Sequence, residues 1–200
     1  TNVLEVQSLA DKYITTINNI IGTHIPSYYD PSMLLHNYST DIDGDLKKDL
    51  VLITMTGDIN MYRNISTTSE IIIDPTVVSI NTGTAGVFGQ PIIEDLDNDG
   101  LKDLIIPDAG GNTEIYRNTS TVGSISLELQ AGATALMSTI VAQGDPILDY
   151  ISGDNQKDII LPDHSGVSGG TKIFRNISDT TPGAVTLTLD VTLSTIKPER

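Results

Sequence analysis

The chain has 200 residues and a formal charge of −15, from 26 acidic against 11 basic side chains. Its 38% hydrophobic and 18% charged content describes a folded, water-soluble chain, and the negative excess argues against a nucleic-acid partner, whose phosphates it would repel. No apolar stretch is long enough to cross a bilayer, and the absence of cysteine excludes disulfides and thiolate metal sites.

In chain order, residues 1–34 fit no later pattern. Residues 3–6 read as the last strand of a preceding unit, 11–21 as a short helix or irregular strand, and 26–31 as a loop. From residue 35 the chain reads as strands of four to seven residues separated by turns rich in Gly, Asn, Asp and Ser. In the first unit, 35–80, the strands are expected at 50–54, 59–64 and 70–73. In the second, 81–138, they are expected at 91–96, 103–106, 114–118 and 124–129, with a turn at Gly110-Gly111-Asn112. In the third, 139–192, they are expected at 158–161, 172–176 and 184–189, leaving 193–200 as a tail.

Two marks repeat in these units. One is an acidic loop: Asp41-Ile-Asp-Gly-Asp-Leu-Lys-Lys-Asp49, then Asp95-Leu-Asp-Asn-Asp-Gly-Leu-Lys-Asp103, then Tyr150-Ile-Ser-Gly-Asp-Asn-Gln-Lys-Asp158. Measured on the last Asp, the periods are 54 residues (49 to 103) and 55 residues (103 to 158). The other is Tyr62-Arg-Asn-Ile-Ser, Tyr116-Arg-Asn-Thr-Ser and Phe174-Arg-Asn-Ile-Ser, whose Arg follows that Asp by 14, 14 and 17 residues. The three extra residues of the last copy fall in the Gly/Ser-rich stretch 165–170. The strand after each loop is continuously apolar, as expected of a strand covered on both faces. Four-stranded antiparallel meanders at this period define an all-β fold of β-propeller-type blades, three of them recognisable, in a partial or oligomer-completed propeller.

In the first two loops carboxylates occupy positions 1, 3, 5 and 9: Asp41, Asp43, Asp45, Asp49 and Asp95, Asp97, Asp99, Asp103. Such crowding calls for a cation, and calcium, a hard ion taking about 6–8 oxygens, suits it better than magnesium with its strict octahedron. The carbonyls of Lys47 and Leu101, at position 7, are candidate further ligands. The alternative is a solvated acidic turn, which two copies in one register make less favoured. Helical flanks and a Glu at position 12 are both missing, so neither loop is an EF-hand. Gly100 at position 6 permits the sharp turn, whereas Leu46 stands there in the first loop, whose turn is expected to differ. The third loop offers Ser152, Asp154 and Asp158, with Asp149 in reach if the loop slips by one, so metal binding there is expected to be weak or absent.

The pattern Asp-x-Asp-x-Asp-Gly-x-x-Asp-Leu resembles the FG-GAP/VCBS-like repeats, including the blades of integrin-α heads, and Phe88-Gly89 resembles the element that names them. The resemblance implies calcium at the propeller rim, held by the loop residues named above. It covers about residues 38–190. Family propellers usually have seven blades, so other copies or other blades are the expected partners that complete the ring.

Arg63, Arg117 and Arg175 recur once per unit and are expected in an ion pair or in packing between blades. Tyr62, Tyr116 and Phe174 are expected in the core. Asn64, Asn118 and Asn176 head Asn-x-Ser sequences, as does Asn37; they read as turn chemistry before glycosylation. The three His residues share no nucleophile. The functional expectation is an extracellular or cell-surface, calcium-stabilised binding or assembly module, non-catalytic and without membrane insertion, with a protein or glycan ligand. The alternative is an accessory or catalytic part of a secreted polysaccharide-degrading enzyme.

Overall fold

A computed structural model describes residues 34–54, 58–81, 90–107, 113–138, 140–141, 144–163, 170–178 and 183–190. The expectations for 1–33, Phe88-Gly89, the turn at 110–112, the insertion at 165–169 and the tail lie outside these residues.

The described residues form three four-stranded antiparallel meanders. The first blade contains β1 (Leu34–Thr40), β2 (Asp49–Thr54), β3 (Asp58–Asn64) and β4 (Ile73–Asn81). In the second are β5 (Ile92–Glu94), β6 (Asp103–Ile106), β7 (Glu114–Asn118) and β8 (Leu127–Leu129). The third has β9 (Ile147–Asp149), β10 (Asp158–Asp163), β11 (Gly170–Asn176) and β12 (Leu187–Leu189). Within each blade the strands pair in sequence order, so the acidic loop always joins the first strand to the second.

One strand falls elsewhere than the sequence suggested. The fourth strand of the first blade is 73–81, not 70–73. Residues 65–72 instead close a turn, with Ile65 N–H donating to Ile72 O at 2.9 Å and Thr67 N–H to Glu70 O at 2.9 Å. Pro75 sits inside β4 without cost to the ladder because β4 is the outer strand of its sheet. A short helix, α1 (Ala131–Met137), was not foreseen; it follows β8 and buries Ala133 and Met137.

The apolar strand β6 is buried on both faces because the second blade lies between the other two. Val51, Ile53, Ile59 and Met61 of the first blade share a core with Leu104, Ile106, Tyr116 and Ile125 of the second. Ile105 and Ile115, on the second blade's other face, pack with Ile159, Leu161 and Phe174 of the third, where α1 adds Ala133 and Met137. Full burial of each Ile, Leu or Phe side chain contributes about 1.5–3 kcal/mol, so these two seams are the main apolar adhesion between blades. Tyr62, Tyr116 and Phe174 are core residues, as expected.

Polar contacts cross the same seams. Tyr38 Oη donates to Pro91 O at 2.6 Å, between the first and second blades. Between the second and third, Lys157 Nζ lies 3.1 Å from Glu94 Oε1, and Gln90 N–H donates to Asp145 Oδ1 at 2.8 Å.

Candidate metal loops

The first two loops have one backbone. Gly44 and Leu46 take positive φ angles of 76° and 69°, and Asn98 and Gly100, at the same positions 4 and 6, take 58° and 91°. The expectation that Leu46 would force a different turn is therefore corrected: Leu46 adopts the left-handed conformation that glycine adopts freely. The position-1 carboxylate holds this shape, since Leu46 N–H donates to Asp41 Oδ2 at 2.9 Å and Gly100 N–H to Asp95 Oδ2 at 2.9 Å. The position-5 carboxylates act alike, accepting from Lys47 N–H and Leu101 N–H at 2.8 Å each.

The position-9 carboxylates lie beneath the loops and join backbone to backbone. Asp49 accepts from Ile42 N–H at 2.9 Å and Asn64 N–H at 2.8 Å. Asp103 accepts from Leu96 N–H and Asn118 N–H, both at 2.8 Å. Asp158 accepts from Ile151 N–H at 3.1 Å, Ser152 N–H at 2.7 Å and Asn176 N–H at 3.0 Å. Burial pushes the Asp103 carboxyl up to about 7, with Asp97 and Asp99 adding to the rise and the two N–H donors opposing it. Burial raises Asp49 in the same direction.

The recurrent arginines pair with the loop of their own blade. Arg63 Nε donates to Asp43 Oδ2 at 2.9 Å; Arg117 Nε donates to Asp97 Oδ2 at 2.6 Å and its Nη2 to Asp99 Oδ2 at 2.8 Å. Arg175 reaches Asp154 at 3.3 Å from a more exposed position. Of the two roles expected, the ion pair is the one observed.

Two carboxylate triads gather. Oxygens of Asp41, Asp43 and Asp49 lie within 4.8 Å of one another, as do oxygens of Asp95, Asp97 and Asp99. Two oxygens on opposite sides of one calcium stand about 4.8 Å apart, twice a bond of about 2.4 Å, so each triad has a span that one ion can bridge. Asp45 stands outside the first triad, facing Lys47 at 3.6 Å, and Asp103 stands outside the second. In the third loop the ligand candidates do not meet in such a triad among the described residues. Asp154 accepts from Gln156 N–H at 3.0 Å, and Asp149 is engaged at the strand end by Tyr150 N–H at 2.8 Å.

The second triad carries an electrostatic deficit. Asp95 Oδ1 is buried without a hydrogen-bond partner, and a buried, unpaired carboxylate oxygen is costly. One guanidinium serves Asp97 and Asp99 and does not reach that oxygen. The donor set, all oxygen and mostly carboxylate, fits a hard divalent cation.

The sequence reading gave the asparagines of Tyr/Phe-Arg-Asn turn chemistry alone and missed their reach across the blade seam. Asn118 Nδ2 donates across the blade seam to Ile42 O at 2.8 Å, and Asn176 Nδ2 to Leu96 O at 2.8 Å. Their recurrence was the available signal. The expected turn chemistry is also present: Ser66, Ser120 and Ser178 N–H donate to the Oδ1 of Asn64, Asn118 and Asn176 at 3.0, 2.9 and 3.0 Å.

An acidic loop between the first two strands of each stacked antiparallel blade defines a repeat of the propeller-blade class. Residues 41–106 match the FG-GAP-like repeat family, so that stretch, which runs from the first loop through the second and includes both triads, is an FG-GAP-like repeat. Comparison with curated proteins and with solved structures gave no match. Among the described residues, no helix is long and apolar enough to cross a membrane.

Proposed function

We propose that this chain is an extracellular, calcium-stabilised binding or assembly module without catalytic activity. The observation that carries the calcium reading is the buried, partnerless Asp95 Oδ1 within the Asp95, Asp97, Asp99 triad. Calcium there would be held by these three carboxylates, and in the first loop by Asp41, Asp43 and Asp49. Its chemistry would be structural: it neutralises converging charge and, in the first loop, ties position 9 to positions 1 and 3. Lys47 and Leu101 carbonyls remain candidate ligands, and the third loop is expected to bind weakly or not at all.

The assembly reading rests on the outer face of the third blade. Ile151 is 39% exposed, whereas Ile42 and Leu96 at the same loop position are 0% and 1% exposed beneath the following blade. Ile147 and Tyr150 are exposed beside it. That face has the character of a surface for another blade, supplied by another copy or by other blades.

Thermal unfolding in EDTA and then in millimolar calcium tests the metal. Calcium at a hundredfold excess over Kd stabilises the folded state by about 2.7 kcal/mol per site. Asp95→Ala and Asp41→Ala should each remove one share of that gain, and each should lower the EDTA curve modestly because the exposed loop N–H groups they accept from are left to water. An unchanged curve in calcium, with no calcium bound to the purified protein, would reduce both loops to acidic turns clamped by arginine.

A further inference from the structure

The residue between the first two carboxylates of each triad is held from both sides. Ile42 N–H is fixed by Asp49 of its own blade, and Ile42 O by Asn118 of the next. Leu96 is held in the same way by Asp103 of its own blade and Asn176 of the next. Peptide orientation at this residue sets where the flanking carboxylates point, Asp41 and Asp43 in one loop and Asp95 and Asp97 in the other. Both asparagines are fully buried and doubly anchored. Asn118 N–H donates to Asp103 and its Oδ1 accepts from Ser120 N–H; Asn176 N–H donates to Asp158 and its Oδ1 accepts from Ser178 N–H. The first loop has a second outside contact: Gly123 N–H, in the β7–β8 turn of the second blade, donates to Asp43 Oδ2 at 2.9 Å.

We infer that each cation loop is completed by the blade that follows it, with Asn118 and Gly123 as positioning residues for the first loop and Asn176 for the second. The inference rests on the calcium reading and deepens it. The cation site and the blade seam are then one thermodynamic unit: docking of the following blade preorganises the carboxylates, and by linkage calcium tightens the seam. Groups that orient ligands without touching the ion typically change metal affinity by about 10–100-fold when removed. The third loop has lost the position-1 and position-3 carboxylates, and there Ile151 O has no partner among the described residues.

The test is calorimetric titration of the full chain with calcium chloride, one loop silenced at a time. In an Asp95→Ala background, which leaves the first loop, Asn118→Ala should weaken calcium about tenfold and Asn176→Ala less than twofold. In an Asp41→Ala background Asn176→Ala should weaken calcium about tenfold, and Asn118→Ala, whose Nδ2 also donates to Lys102 O of the second loop at 3.0 Å, should weaken it less than Asn176→Ala does. A general loss of packing would not produce this crossing pattern. Because a buried asparagine change can prevent folding, hydrogen exchange gives a second reading without one: in the Asp95→Ala chain, calcium should slow exchange at Gly123 together with Gly44 and Leu46. Calcium bound normally, with equal effects of both asparagines on both loops or with protection confined to the first blade, would overturn the inference and leave the calcium reading intact. Absence of calcium binding at either loop would remove both.

Discussion

In both the second and the third loop, a buried position-9 carboxylate accepts backbone N–H groups from either side: Leu96 and Asn118 on Asp103, Ile151, Ser152 and Asn176 on Asp158. Each loop also has a position-5 carboxylate that accepts the N–H two residues on and pairs with the arginine of its blade. They differ at positions 1 and 3, where Asp95 and Asp97 are replaced by Tyr150 and Ser152. The position-5 and position-9 contacts thus survive without the ligand set, although Asn155 at position 6 lacks the left-handed φ that Leu46 and Gly100 share. Position 9 is a structural residue shared by all three blades, and the carboxylates at 1 and 3 are what distinguish a candidate metal loop from an acidic turn.

That division makes the largest prediction. Replacing Asp103 or Asp158 by Ala leaves at least two backbone N–H groups without their acceptor, at about 1–3 kcal/mol each. Both variants should lose roughly 3 kcal/mol or more in urea unfolding, and by similar amounts in EDTA. Asp95→Ala, which removes one oxygen with no partner and one that accepts from the exposed Gly100 N–H, should cost less, about 1 kcal/mol in EDTA. A mild Asp158→Ala beside a severe Asp103→Ala would show that the position-9 residue matters through metal after all.

A smaller effect is expected from rebuilding the third loop. Tyr150→Asp with Ser152→Asp restores carboxylates at positions 1, 3, 5 and 9, at the loss of an exposed Tyr150 ring 5.9 Å from Lys157 Nζ. Titration should then show one more calcium equivalent, bound about tenfold more weakly than at the second loop because no asparagine among the described residues holds Ile151 O. At a calcium concentration ten times its Kd that site would add about 1.4 kcal/mol. Affinity equal to the second loop would show that the following blade contributes nothing; no added site would show that four carboxylates on this scaffold do not suffice.

Strand positions near the two repeating marks were legible in the sequence, because Asp49, Asp103 and Asp158 each begin an apolar strand and the Arg-Asn pair ends another. The triads were legible from the odd-position spacing, although which three oxygens meet depends on side-chain direction, and the two loops differ in that: Asp49 joins the first triad and Asp99 the second. β4 was misplaced because Glu70-Ile-Ile-Ile looks like a strand, while the chain must first turn at 65–72 to reach the outer edge. α1 carries no side-chain N-cap and no charge in its end turns, so its sequence lacks the usual markers; packing of Ala133 and Met137 between blades and the Ile115 N–H bond to Thr134 Oγ1 at 3.2 Å hold it. The asparagine contacts to Ile42 and Leu96 span 76 and 80 residues, a distance at which spacing within one repeat gives no information.

The smallest effect sharpens the comparison of the first two loops. Leu46 is 93% exposed and holds φ at 69°, where Gly100 holds 91° in the second loop. A left-handed residue other than glycine is strained by about 1–2 kcal/mol, and an exposed side chain returns little of that by burial. Glycine at this position removes the strain but adds backbone freedom to the unfolded chain, which takes back roughly 0.5–1 kcal/mol. Leu46→Gly should therefore raise stability by about 0.5–1 kcal/mol in EDTA, and Gly100→Leu should lower it by a similar amount. Since Leu46 N–H and Gly100 N–H bond the position-1 carboxylate alike, neither change should alter the arrangement of the triads. A Leu46→Gly chain less stable than its parent would mean that the exposed leucine is covered by a partner surface, and the first loop would then differ from the second in what it meets rather than in how it turns.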